Sequence, residues 1–481
     1  MKFTRETLHD VMNKKSCTLF VLAVFFTLLL STMVQQGLFM DGLIYSAVAH
    51  NMANGIGTFW APVFSSTTLN PFYEHPPLAL GMQSVFFSLL GHSFLIEKMY
   101  SLLMALAMLI IVKASWQEAS GNDVDKRRGW WMPVLLWITV PICFWCYRNN
   151  MLENTIARFS ALAFYLILRQ RENKHVFSFY HVLAGVLVFC GFLSKGLPAL
   201  FPLAAPFIIA LCLRPVSLAR GIYQSLQVTF ACVSAAVLVY FTTDFATNFS
   251  NYLEIQVTPS LTGQTVVGRR TVLLEVLAMQ VIGHAALVLV IYLVHAKWVK
   301  RKKELTSFNK RMIATFLLVG LSALLPMMVS PKQLGFYIMP CLPYLSIALS
   351  IWLFPMVAQI GIQLENWKYF RSLNGTVSSL IFVPVIVVAI FFGEISRDKN
   401  HLPDVILIGE MIGQHTTISA SEALYPDWRL MGYFQRFYFI AIDRNGKELE
   451  YHILNKDEAI PEHYVKVDLN LISLKLVKRQ S

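Results

Sequence analysis

The sequence predicts a mainly α-helical, multi-pass membrane protein that ends in a small α/β domain. Three observations carry this. Hydrophobic residues fill 56% of the 481 positions and charged residues only 14%, far from the composition of a soluble chain. The apolar residues gather in runs of about 17 to 25 positions, enough for a helix to cross roughly 30 Å of hydrocarbon. After Gly393 these runs stop, and shorter segments of alternating polarity take over.

Taken in order, about eleven spans are expected, near residues 17–38, 95–113, 131–147, 155–169, 177–193, 197–213, 222–243, 271–296, 312–330, 334–354 and 376–393. The first follows Lys14 and Lys15 and lacks a small-residue cleavage site, so it reads as an anchor whose N-terminus stays in the cytoplasm. Alternation then places Lys126 to Arg128, Arg169 and Arg171, Arg214 and Arg220, Lys297 to Lys303, and Lys368 with Arg371 on the cytoplasmic side, with the C-terminal tail outside. The net charge of +12 is thereby a matter of topology, because no sustained basic face interleaved with aromatics points to nucleic acid. All seven cysteines lie in apolar stretches, so disulfides are not expected, and Cys143-Phe-Trp-Cys146 reads as bilayer packing.

Three outer segments exceed a simple turn. Residues 39–94 hold a helix over Gly42 to Asn54, expected along the interface, and a second over Pro76 to Leu90, opened by a proline pair. Residues 244–270 are polar and read as a mobile loop. In the outer domain, 394–481, strands are expected over Arg436 to Ile442 and Tyr464 to Leu469, with a helix near 421–434.

Under this topology Asp41, His75, Lys98, Arg148, Glu153, Lys195, Arg269, Arg270 and Lys332 all lie near outer ends of spans. Cations there run against the positive-inside bias, and an anionic phosphate would account for them. Each residue also has a plainer role. Asp41 would cap the helix beginning at Gly42, which is worth about 1 kcal/mol. Glu153 would pair with Arg148, a contact worth about 0 to 1 kcal/mol at an exposed surface. Lys195 and Lys332 would snorkel to head groups, and Glu74 with His75 would offer two ligands to a metal.

Order, spacing and common side together resemble the membrane-embedded glycosyltransferases of GT-C type that use polyprenyl-phosphate sugars, the family 39 group of protein O-mannosyltransferases and lipid A aminoarabinose transferases. The resemblance rests on Asp41 with Tyr45 after the first span, on His75-Pro76-Pro77-Leu78, on Arg148 with Leu152-Glu153, on Lys195-Gly196-Leu197-Pro198, and on Lys332 with Tyr337, Pro340 and Pro343. The chain departs from that group at Gly42, where relatives often carry a second acid, at His75, where many have Lys, and at Glu153, where Asp is commoner.

The resemblance implies inverting, metal-independent transfer of a sugar from a lipid-linked donor to a lipid, protein or glycan hydroxyl at the periplasmic face of a bacterial inner membrane, without a cofactor. It implies Asp41 and Glu153 as catalytic groups and His75, Lys195, Arg269, Arg270 and Lys332 around the donor phosphate. Tyr45, Glu74, Arg148 and Tyr337 would shape the sugar or acceptor pocket. A secondary transporter or lipid flippase, or a non-enzymatic envelope receptor or assembly protein, would also have many spans. The gathering of charges at one face, with no internal repeat, favours the enzyme.

Overall fold

A computed structural model describes residues 15–172, 175, 177–213, 216–262, 271–299, 304–365 and 370–480. The predicted phosphate contacts Arg269 and Arg270, and much of the basic clusters at 297–303 and 368, lie outside the described residues. The helices are α1 (Lys15–Met33), α2 (Met40–Ala53), α3 (Leu78–Leu90), α4 (Ile96–Ala119), α5 (Val124–Arg128), α6 (Trp131–Ile138), α7 (Pro141–Arg148), α8 (Glu153–Arg169) and α9 (Phe179–Lys195). They continue with α10 (Ala205–Cys212), α11 (Leu218–Thr242), α12 (Phe245–Tyr252), α13 (Thr258–Thr262), α14 (Val272–Trp298), α15 (Ser307–Val329), α16 (Leu342–Glu365), α17 (Phe370–Ser379), α18 (Val383–Phe391) and α19 (Leu402–Ile412).

Among the described residues six helical stretches are long and apolar enough to cross a membrane, seven if a bent pair is one span. The other expected spans are shorter or interrupted, and prolines explain several of the breaks. Pro141 opens α7 after an extended Val140, and the helices on either side of this break meet at 77°. Pro198, Pro202 and Pro206 each lack an amide donor, so the 197–213 segment begins as a 3-10 turn over Leu197–Ala204 before α10. Pro340 lies in a 3-10 turn over Gly335–Cys341 that leads into α16.

Three outer expectations are corrected. The segment after residue 244 is not a loop as far as Thr262: it runs through α12, a π turn and α13. Helix α2 does not lie along a surface, because every residue from Gly42 to Asn51 is buried, and it packs between α3 and a helix of the C-terminal segment. That helix, α20 (Trp428–Tyr438), also takes residues 436–438 out of the expected strand. Asp427 caps it by accepting from the amides of Arg429 and Leu430, and Phe439, at φ 54°, ends it.

Five short strands follow the membrane part: β1 (Thr417–Ala420), β2 (Ala441–Asp443), β3 (Tyr451–Asn455), β4 (Tyr464–Lys466) and β5 (Leu474–Arg479). The sheet order is β2-β1-β3-β5-β4. Strand β1 runs parallel to β2 and β3, whereas β5 is antiparallel to β3 and β4.

The two ends of the membrane part are stitched together. Gln36 donates its amide to the Glu394 carbonyl at 2.7 Å, Gly393 to Val34 at 2.9 Å and Ser396 to Gln36 at 3.1 Å. Helix α20 then locks onto the early chain. The fully buried Arg436 pairs with Glu97 of α4 at 2.8 Å and donates to the carbonyls of His92 and Ser93, while Gln435 donates to Asn51 of α2 at 3.1 Å. Removing the Arg436 side chain would leave Glu97, itself 1% exposed, without this partner, a change that costs about 3–5 kcal/mol.

Candidate active site

The candidate site begins where the chain leaves α1. Phe39 is extended (φ −66°, ψ 147°) and its side chain caps nothing, so α2 starts at Met40 and Asp41 falls inside the first turn. Asp41 therefore does not serve as the helix cap. Its carboxylate, with Tyr45 one turn later, faces a cavity of about 410 Å3. The turn after α7 fixes this start: Asn149 Oδ1 accepts from the Phe39 amide at 2.9 Å, and Asn150 donates to Ser46 at 3.1 Å. At Gly42 a Cβ atom would sit 1.8 Å from the Asn149 carbonyl oxygen. The contact is backbone to backbone, so a second acid after Asp41 has no room here.

Glu74, His75, Lys195, Lys332 and Tyr337 join Asp41 and Tyr45 around the cavity. A second cavity of about 240 Å3 shares His75, Lys195, Gln256, Lys332 and Tyr337, and continues between Leu197, Pro198, Val257, Leu261, Pro326 and Met327. The first cavity has carboxylates at its wall and the second is mostly apolar. Their common wall carries two ammonium groups.

Lys195 closes α9, and Gly196 ends it with φ +85°, a conformation that L side chains rarely adopt. Tyr252 packs over this glycine so closely that a Cβ would lie 1.9 Å from its hydroxyl. The Lys195 ammonium pairs with Glu153 and lies 5.5 and 5.4 Å from the ring centres of Phe336 and Tyr337. Glu153 is 1% exposed, and its second oxygen has no hydrogen-bond partner.

Burial pushes the Asp41 carboxyl up from the usual carboxylate range, against the pull of Lys195 and Lys332. Glu74 is likewise raised by burial, with Lys332 opposing and Asp41 adding to it. Burial lowers Lys332, and Glu74 works against that shift. His75 is held well below its ordinary value, first by burial and then by Lys195 and Lys332. Burial and both lysines disfavour the imidazolium form that the expected charged phosphate contact would use. The His75 Nε2 lies 3.1 Å from the Tyr45 hydroxyl, and its Nδ1 is buried without a hydrogen-bond partner.

The structure thus brings Asp41, Tyr45, Glu74, His75, Lys195, Lys332 and Tyr337 together and leaves two predicted residues apart. Glu153 stands behind Lys195 and does not line either cavity. Arg148 turns away to the Leu28 carbonyl and the Ser31 hydroxyl, over the Phe144 ring, and makes no pair with Glu153. Lys98 is taken up by the Gln35 carbonyl. Sequence reasoning missed Gln256, which lines both cavities, and Trp428, which reaches the first from α20. Gln256 carried only the weak signal of a polar outer segment, and Trp428 carried none. Among the described residues no group of three or more His, Cys, Asp or Glu could hold a metal ion.

No protein-family model matches the chain, and no curated protein matches it in sequence. Solved structures do match. ArnT from Cupriavidus metallidurans bound to undecaprenyl phosphate superposes with a TM-score of 0.62 at 14% identity, covering 96% of this chain and 97% of the other. Its apo state gives 0.63 with the same identity and coverage. The archaeal oligosaccharyltransferase AglB from Archaeoglobus fulgidus, in complex with an inhibitory peptide and a dolichol-phosphate, gives 0.50 at 11% identity over 92% of this chain and 69% of the other. The chain has the fold of these membrane proteins, and the sequence-level resemblance and the structural one agree.

Proposed function

We propose that the chain is an integral membrane glycosyltransferase that moves a sugar from a polyprenyl-phosphate donor to a hydroxyl acceptor. One observation carries the reading: a carboxylate-bearing cavity meets an apolar cavity at a wall of two lysines. A lipid-linked sugar phosphate has that sequence of parts, with a polar sugar, an anionic phosphate and an apolar tail. The solved relatives with the same fold support it, since one is bound to undecaprenyl phosphate and another to a dolichol-phosphate.

In this reading the acceptor oxygen attacks the anomeric carbon from the face opposite the phosphate. Asp41 takes the hydroxyl proton as general base, for which it must be ionised. The bond between the anomeric carbon and the phosphate oxygen breaks, and polyprenyl phosphate leaves with the electron pair. Lys195 and Lys332 stabilise the departing charge from the common wall. With Tyr45 donating to Nε2, His75 keeps a proton on Nδ1 and serves as a neutral donor. Glu153 acts through Lys195 by holding the ammonium in place. Glu74, Tyr337 and Trp428 shape the sugar or acceptor pocket. The step needs neither a cofactor nor a metal.

Residues 1–393 would form the transferase and 394–481 an outer domain, with the site on the periplasmic face of a bacterial inner membrane. Lipid A, a protein hydroxyl and an envelope glycan are the acceptor classes. The test is mass spectrometry of envelope lipids and proteins from cells with the wild-type chain, with Asp41→Asn, and without it. A hexose, pentose or amino-sugar mass should be present only with the wild type. Its persistence in Asp41→Asn cells would remove Asp41 as the base, and identical spectra from all three would remove the transferase reading.

A further inference from the structure

A third cavity lies at the other end of α1. About 330 Å3 in volume, it is lined by Thr18, Lys113, Gln117, Arg127, Arg128 and Trp130. Thr18 sits in the first turn of α1, whereas Asp41 follows the far end of that helix. At about 1.5 Å per residue, α1 alone separates the two sites by more than 20 Å.

Three cations from α4 and α5 converge on this cavity. The Lys113 ammonium lies 4.8 Å from the centre of the Trp130 ring. Arg128 has Asp125 as an ion-pair neighbour only at 4.0 Å, beyond hydrogen-bond reach, and its Nη1 is buried with no hydrogen-bond partner. Neighbouring polar groups are already engaged elsewhere. Lys126 turns away to the Ala119 carbonyl at 3.0 Å and to Asn309 at 2.9 Å, and Glu118 pairs with Arg171 at 2.7 Å. Positive-inside topology accounts for cations at this end of the spans. It does not account for their lining one cavity.

We propose that this cavity binds the phosphate of an anionic membrane lipid. Arg127 and Arg128 would grip the free phosphate oxygens by charge-assisted hydrogen bonds, with Lys113 completing the charge balance. A lipid fits better than a free phosphate because the walls belong to membrane-length helices α1 and α4. Exposed Val124 and the Trp130 ring also belong to the cavity lining, and Trp is enriched at bilayer boundaries. The site is independent of the glycosyltransferase reading.

The test is native mass spectrometry of the purified full-length chain in detergent, titrated separately with tetraoleoyl cardiolipin, dioleoyl phosphatidylglycerol, dioleoyl phosphatidylcholine and inorganic phosphate. The anionic lipids should be retained in preference to phosphatidylcholine. Lys113→Gln, Arg127→Gln and Arg128→Gln should each weaken retention about fivefold, and the triple variant about a hundredfold. Where the triple variant fails to fold, the single variants decide. Equal retention of phosphatidylcholine, or retention unchanged in the variants, overturns the proposal. Displacement of cardiolipin by inorganic phosphate at equal concentration would also overturn it, by making this a free-phosphate site.

Discussion

Removing the Lys195 ammonium should do two separable things, and the geometry fixes their relative size. Lys195→Met leaves Glu153 1% exposed, with one oxygen newly unpaired and the other already so. An uncompensated buried carboxylate of this kind destabilises by about 3–5 kcal/mol. Glu153→Gln should cost less, about 1–3 kcal/mol for weakening a charge-assisted hydrogen bond, because Lys195 still borders two cavities and retains Asp41 as a neighbouring charge. The double variant Lys195→Met with Glu153→Leu removes both charges and replaces them with apolar groups, so its stability should return to within about 1–2 kcal/mol of wild type. Its transfer activity should stay lost, since the phosphate has lost one of the two lysines at the wall. Thermal unfolding in detergent, followed by size-exclusion chromatography, ranks the four proteins, and a sugar-transfer assay reads the second effect. If Lys195→Met unfolds at the wild-type temperature, or the double variant is no more stable than the single one, the pair does not contribute as described. Recovered activity in the double variant would show that Lys195 acts only through Glu153.

Three further outcomes are expected. Asp41→Asn should lower turnover by about 10²–10⁴-fold, the usual contribution of a general base. Because burial raises the folded-state carboxyl, its stabilising contribution is present below the ordinary carboxylate pKa and lost as pH rises through the raised value. Asp41→Asn should therefore unfold no earlier than wild type at pH 7, while wild-type activity should fall on acidification before an ordinary carboxylate would titrate; earlier unfolding would contradict the burial argument. A pH–rate profile should show no step attributable to His75 near its unperturbed pKa of about 6.5, since burial and the two lysines push its titration below that value, and such a step disappearing in His75→Gln would reverse that assignment. Gly42→Ala forces a methyl against the Asn149 carbonyl and should destabilise by about 1–3 kcal/mol or more, whereas Ser46→Ala, one turn on, should be milder; equal melting of both would refute the close approach.

Much of the site was legible because its charges sit where a membrane disfavours them. Asp41, His75, Lys195 and Lys332 were found through their position at span ends, and the structure gathers all four. What could not be read was direction. Arg148 and Glu153 are five residues apart, yet one points to α1 and the other to α9, a choice made by tertiary packing. The charge preference of His75 was equally hidden, since it is set first by burial in the folded site and then by two lysines more than a hundred residues away in sequence. Span count suffered from prolines, which hydropathy averages over and backbone geometry does not. The residues 436–438 read as strand because alternating aromatics suit either period when short, and the cap at Asp427 decided for the helix.

The stitching of Gln36 to Glu394, and of α2 to α20, has a consequence for biosynthesis. A ribosome has passed α2 long before it reaches α20, and at about 5–20 residues per second the interval is roughly 20–80 s. Throughout that time the helix bearing Asp41 lacks the partner that buries its back face, and the cavity lacks Trp428. Assembly of the segment around Asp41 thus waits for the synthesis of α20. Truncation after the final span would remove the surface against which the first outer helix is ordered, so nascent or prematurely terminated chains would be released without a formed site.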